Sequence, residues 1–407
     1  MRLWQEEWLK KSVLLLNLPL LLIDSDPVRE VMKVMSIVSE NFPSVRFPGK
    51  YDNVSKKYTV TGEGGLKAEI LTYGARIFRL YVPDRNGETA DVVLGPKDLD
   101  GYLADGANHG AVVGRSANRI ADASFTIDGV TYNLPQNDGT NNLHTGDKAY
   151  QNKFWAAKVL SYEDSYAYVK NSGIRGLCDN DMKMPSDESL LLCCDSADGE
   201  CGFPGNLKTQ VLYYFSADGT FTIIYMGLSD KKTVFAPTNH AYFNLAGHDK
   251  GNVGHQILTM DCDKVTLKVN RCPNGEYIDV EGTPFDFREG APVSKCLDLT
   301  YPQIGESNGI DQNFCLKNNG AYALVASLED KDAGRLMETW TDLPGVQLYC
   351  GNHLGGDGFK DGASYKPYDA LCIEAQMYPN AVNVPSFESP VINAGEPCYH
   401  VCGYRFC

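Results

Sequence analysis

The 407-residue sequence has no apolar run long enough to cross a bilayer, which takes about 20 residues. Its one conspicuous run, SVLLLNLPLLLI over Ser12 to Ile23, is too short to span. It follows Lys10 and Lys11, but Glu6 and Glu7 precede it and no small-x-small cleavage site follows. It reads as an amphipathic or disordered extension, with secretion as the minor alternative. Cysteine is absent before Cys178. Thirteen cysteines lie at or beyond that point, an odd number with no C-x-x-C pair. Complete internal pairing is therefore excluded, and free thiols in a reducing, cytoplasmic compartment are expected. Positive charge is short, with 37 Lys and Arg against 52 Asp and Glu and a net charge of −15. That balance disfavours nucleic acid and an anionic membrane surface as partners, and strongly anionic substrates too unless a local basic pocket intervenes. The sequence also lacks a P-loop, a dinucleotide G-x-G-x-x-G, a G-x-S-x-G elbow and an H-E-x-x-H zinc spacing. The main cofactor-dependent chemistries lose weight with them, and neither cofactor nor metal is expected.

Glycine (39) and tyrosine (23) are plentiful, which suits turns and strands respectively. From Lys57 onward short β-type runs such as KYTVTG, AEILTYG and IFRLYVPD are closed by Gly, Pro, Asn or Asp. In VLYYFSADGTFTIIYMGL an Ala-Asp-Gly separates two alternating runs and predicts a hairpin. No sustained helical period is seen between residues 57 and 407. The prediction is all-β, a large antiparallel β-sandwich forming one domain over 56–407. Residues 1–55 are read as an extension, partly helical or disordered, with helical spacing over 27–40. Residues 171–189, polar and patternless, read as a surface loop or an insertion. Cys398, His400 and Cys402 alternate onto one strand face; a metal site and plain strand alternation both fit, and alternation is preferred.

Polar side chains recur in segments where a plain strand has no need of them. Asn118 and Arg119 lie in GRSANRIADASF, His144 in NLHTG, and His240 in APTNHAYFNLAGH. Asp311 lies in NGIDQNFCL, Gln347 in PGVQLYCGN, and Glu374 in ALCIEAQMYPNAVN. Singly, each has an ordinary structural explanation. Glu374 is the most telling, because Leu371, Cys372, Ile373 and Ala375 predict a buried strand and a buried carboxylate is costly unless paired. A structural ion pair with an arginine would account for it equally well.

Taken in order, these motifs resemble the aldose 1-epimerase (galactose mutarotase) family from about Val60 to the C-terminus. AEILTYGARIFRLYVPDRNGETADVVLG, TNHAYFNLAGH, GTPFDFR and CIEAQMYPNAVN carry the resemblance with the segments above. It implies a β-supersandwich and interconversion of the α and β anomers of free aldohexoses, with a monosaccharide as partner. By the same resemblance, His240 matches the catalytic acid and Glu374 the catalytic base. His144, Asp311, Asn118, Arg119 and Gln347 match substrate-binding positions. The chain departs from the family where Thr145 replaces a second glycine after His144. DKAYQNKFW lacks the usual Gly-Phe-Asp, and Cys201, Phe203 and Tyr378 replace a glutamate, a tyrosine and a tryptophan.

The implied chemistry makes demands on the two central groups. Opening a hemiacetal ring removes a proton from the C1 hydroxyl and delivers one to the ring oxygen, which a carboxylate and an imidazolium do together. The expectation is an ionised Glu374 and a protonated His240 at neutral pH, with Asp311 raising the imidazole. The alternatives are a glycoside hydrolase built on Asp311 and Glu374, a sugar-binding sandwich without catalysis, and a hexose-phosphate mutarotase. The last needs a cationic cluster, and only Arg115 and Arg119 stand near the matched motifs. The chain is expected to act as a monomer or a homodimer.

Overall fold

The computed structural model describes residues 37–407. The apolar run over 12–23 and nearly all of the helical spacing over 27–40 lie outside the described residues. Within them, Val38–Asn41 is a strand, paired antiparallel with Lys56–Thr61. It opens a five-stranded sheet that continues through Lys67–Leu71, Arg76–Pro83 and Thr89–Asp91.

A nine-stranded antiparallel sheet forms the centre. It runs in space from Ala156–Leu160 through Ser189–Ser196, Leu207–Phe215 and Thr220–Ser229 to Cys398–Phe406. It then continues through Arg335–Thr341, Ala323–Asp330, Ile257–Met260 and Ala291–Pro292. The hairpin predicted at Ala-Asp-Gly is present, with Phe215 opposite Phe221. The C-terminal strand inserts between Thr220–Ser229 and Arg335–Thr341, so the last residues of the chain join its earlier and later halves.

A second five-stranded sheet carries the site. Its order is Cys272–Asp279, Cys262–Val269, Asp311–Leu316, Gly345–Tyr349 and Cys372–Gln376. Strand alternation divides its residues into two faces. Phe314, Val346, Leu348, Ile373 and Ala375 enter the main core, which also holds Tyr213, Ile223 and Tyr404 of the nine-stranded sheet. Asp311, Asn313, Gln347, Tyr349, Cys372, Glu374 and Gln376 share the opposite face. A one-residue slip would put this polar set into the core, so the apolar face pins the register on which the site depends.

Short helices also occur among the described residues, such as Leu99–Leu103 and Pro302–Gly305, and one is longer. Tyr162–Asn171 is a ten-residue helix, capped by the Ser161 side chain accepting from the Asp164 N–H, with Glu163 and Asp164 in its first turn. Its apolar face is too short to register as a sustained period. Part of the 171–189 segment is anchored: buried Lys183 pairs with Asp218 at 2.6 Å and lies over the Trp340 ring at 3.8 Å.

All thirteen cysteines are free. Cys398, His400 and Cys402 do lie on one strand, Cys398–Phe406. Among the described residues no group of three His, Cys, Asp or Glu could hold a metal ion. His400 instead stands 3.5 Å from the Asp342 carboxylate and 3.5 Å from the Cys398 sulfur. Burial alone would lower its pKa, but these two partners push it up to about 10. No described helix is long and apolar enough to cross a membrane.

Candidate active site

Three backbone segments converge over the polar face of the second five-stranded sheet. The first is Asn118–Arg119, where Arg119–Ile120 pairs with Asn142–Leu143 and sets His144 beside Asn118. The backbone N–H of His144 donates to the Asn118 carbonyl at 3.0 Å. The Asn118 N–H donates in return to His144 Nδ1 at 3.2 Å. An Nδ1 that accepts leaves the neutral ring its proton on Nε2. Asn118 and His144 both have left-handed φ, 56° and 52°, as does the adjoining Thr145 at 71°. That region is unfavourable for a β-branched residue. The Thr145 hydroxyl compensates by accepting from the Ser116 N–H (2.9 Å) and donating to the Ser116 carbonyl (3.0 Å). These two bonds hold threonine in a left-handed conformation where the family resemblance implies glycine.

The second segment, Thr238–Asn239, pairs with Val112–Val113 and delivers His240. The His240 N–H donates to Ala111 and its carbonyl accepts from Gly110, each at 2.9 Å. A side chain at Gly110 would meet the Ile77 carbonyl oxygen at 2.2 Å, so the close approach requires glycine. Tyr242 stacks on the His240 ring at 4.9 Å, and Tyr349 meets it edge-on at 6.1 Å. The His144 ring lies 5.7 Å away.

The third segment is the strand Cys372–Gln376. Glu374 Oε1 lies 3.7 Å from His240 Nε2, and Glu374 is only 2% exposed. Its other oxygen, Oε2, is buried without a hydrogen-bond partner. Such an oxygen costs about 1–3 kcal/mol if neutral and more if charged. Burial pushes the Glu374 pKa well above the usual carboxylate range, and Asp311 adds to the rise. Burial also lowers His240, to about 4, with His109 adding to the fall. The expectation of an ionised carboxylate beside an imidazolium is therefore corrected for the unliganded site. Asp311 acts on His240 in the expected direction but ranks behind burial and His109. Burial thus disfavours the charged form of both groups in the unliganded site.

Asp311 is held differently. Gln347 Nε2 donates to its Oδ1 at 2.6 Å, and Arg119 Nη1 stands 3.4 Å from its Oδ2. Burial alone would raise this carboxyl, but Arg119, then Lys268 and Gln347, keep it below the usual range. Arg119 also donates to Asp138 at 2.6 Å, and Asp138 bonds Arg271 on its other oxygen. Gln376 Nε2 donates to Gln347 Oε1 at 3.3 Å, which orients the Gln347 side-chain amide toward Asp311. In register, Gln347 lies directly between Asn313 and Glu374. An open cleft lined by Arg271, Glu306, Ser307, Asn308 and His353 borders this network.

The seven residues selected from the sequence thus form one connected cluster. The structure adds Tyr242, Tyr349, Cys372, Asp138 and Gln376, which sequence reasoning passed over. Two of these carried a signal: Cys372 and Gln376 flank Glu374 at the two-residue strand spacing. Asp138 sits in a polar turn and carried none.

The aldose 1-epimerase family model matches residues 56–405. Galactose mutarotase from Bos taurus is 37% identical over 344 residues, 84% of this chain and 91% of that protein. The human galactose mutarotase is 35% identical with the same coverage. Among solved structures, an aldose epimerase homologue from C. elegans superposes with a TM-score of 0.74 at 26% identity, covering 87% of this chain and 99% of that one.

Proposed function

The chain belongs to the aldose 1-epimerase family, and from that premise we propose that it catalyses mutarotation of free aldohexoses, galactose and glucose among them, with Glu374 as base and His240 as acid. The observation that carries the assignment is the buried Glu374 carboxyl, with one oxygen unpartnered and the other 3.7 Å from His240. A sugar hydroxyl supplies the missing partner. Hydrogen bonds to a carboxylate favour its charged form. Sugar binding therefore favours an ionised Glu374 beside a protonated His240, with no net change in charge across the pair.

Ring opening then proceeds by two proton transfers. Glu374 takes the proton of the C1 hydroxyl as the bond from C1 to the ring oxygen breaks. His240 Nε2 delivers its proton to the ring oxygen, leaving the aldehyde. Rotation about C1–C2 presents the other carbonyl face, and the reverse transfers close the ring. The product state returns both groups to where they began. During the open-chain stage Glu374 is protonated and His240 neutral, which is the state preferred by the buried pair alone.

The remaining residues orient the sugar. His144 Nε2–H donates to a sugar oxygen, and Asp311, held ionised by Arg119, accepts from sugar hydroxyls. Asn118 acts through its backbone bond to His144, and Gln347 by holding Asp311. All of these residues come from one chain, so a monomer is competent. Thirteen free thiols support a cytoplasmic setting.

Polarimetry of freshly dissolved α-galactose and α-glucose tests the reading. The enzyme is expected to speed the approach to an unchanged final rotation. Sugar binding with no acceleration for either sugar would replace it with a non-catalytic sandwich.

A further inference from the structure

The strand Cys372–Gln376 holds His240 from two sides. Residues 372 and 374 lie on one face about 6.8 Å apart along the strand. The imidazole reaches both: Nε2 lies 3.7 Å from Glu374 Oε1, and Nδ1 lies 3.6 Å from Cys372 Sγ. Cys372 is wholly buried, in the row that also holds Asp311 and Tyr349. The mechanism above assigns it no part. We propose that Cys372 is a positioning residue for the ring-opening step: its sulfur accepts the Nδ1–H of His240 and so reserves Nε2 for proton exchange with the sugar. This rests on His240 being the acid.

After Nε2 gives its proton to the ring oxygen, the neutral imidazole keeps its remaining proton on Nδ1. Nδ1–H then needs an acceptor, and the bond made by one ring nitrogen sets the role of the other. Cys372 Sγ stands at an N–H···S distance. Burial, with Glu374 and Asp311, raises the Cys372 thiol well above its ordinary range, so this acceptor is uncharged. An uncharged sulfur orients the ring without making it a stronger base, which a carboxylate at the same place would do.

The protein contains the contrasting case. His400 has the Asp342 carboxylate on Nδ1 and the Cys398 sulfur on Nε2, each at 3.5 Å, and is pushed up to about 10, whereas His240, with a thiol and no carboxylate on Nδ1, lies at about 4. Burial acts downward on both rings. A sulfur behind His240 leaves a ring that is fixed in direction and gives up its proton readily.

The test is the tautomer of His240, read by nitrogen NMR on histidine-labelled enzyme at pH 7. Its resonances are assigned by their loss in His240→Gln. The wild type is expected to carry the proton on Nδ1. In Cys372→Ala the two tautomers should mix, and kcat should fall about 10–100-fold with KM nearly unchanged. Cys372→Ser, whose hydroxyl can also accept, should retain the Nδ1–H tautomer and most of the kcat, and it serves if the alanine variant folds poorly. A proton on Nε2 in the wild type, or an unchanged tautomer in Cys372→Ala, would overturn the proposal. Normal turnover in His240→Gln would instead remove His240 from the chemistry, whatever tautomer it holds.

Discussion

Replacing Glu374 with glutamine should separate what this side chain does for catalysis from what it costs the fold. The change nearly preserves shape but removes the proposed base. A general base typically contributes about 10²–10⁴-fold, or about 2.7–5.4 kcal/mol at 1.36 kcal/mol per decade. Turnover by polarimetry should fall by that factor. Stability should move the other way. The folded-state pKa of Glu374 lies well above its ordinary 4.5. Between those values the native state binds more protons than the unfolded chain, so its contribution to stability is present below about 4.5 and lost as pH rises through the folded value. Glutamine has no such loss. Urea unfolding at pH 5 and pH 8 should show the variant gaining on the wild type as pH rises. Turnover near normal would remove Glu374 as the base. A stability difference that is flat with pH would mean that Glu374 is not held protonated by its surroundings.

Three further outcomes follow from the same contacts. His240 is lowered from 6.5 to about 4. The unfolded chain therefore binds more protons in that window, and stability should fall as pH drops through it; His240→Gln should flatten that part of the pH–stability curve. Arg119 bridges Asp138 and Asp311, and lysine cannot reproduce its fork. Arg119→Lys should raise KM for the sugar about tenfold or more, roughly 1.4 kcal/mol, and a KM equal to wild type would exclude Arg119 from holding Asp311 in the substrate-binding role proposed for it. Thr145→Val keeps the left-handed backbone but loses both bonds to Ser116. It should lower unfolding stability by about 1–3 kcal/mol, whereas Thr145→Gly should be milder because the backbone strain goes too.

Local pattern alone determined the strand-rich class, the hairpin at Ala-Asp-Gly and the burial of the strand around Glu374. Each depends on near neighbours, through alternation or turn chemistry. The order of the motifs determined the family and singled out seven polar residues. The ten-residue helix Tyr162–Asn171 was missed because its signal lies in the Ser161 cap and not in a long apolar face. Tertiary structure decided how the seven residues interact. Val346 and Ile373 pack into the core and thereby turn Gln347 and Glu374 to the other face, while two distant segments supply His144 and His240. It also decided the charges. Glu374 and His240 are separated by 134 positions in the chain, yet each is driven toward its neutral form by a burial that only the closed sandwich creates. Composition cannot set such a state, because a pKa depends on the water removed and on the charges that the fold brings near.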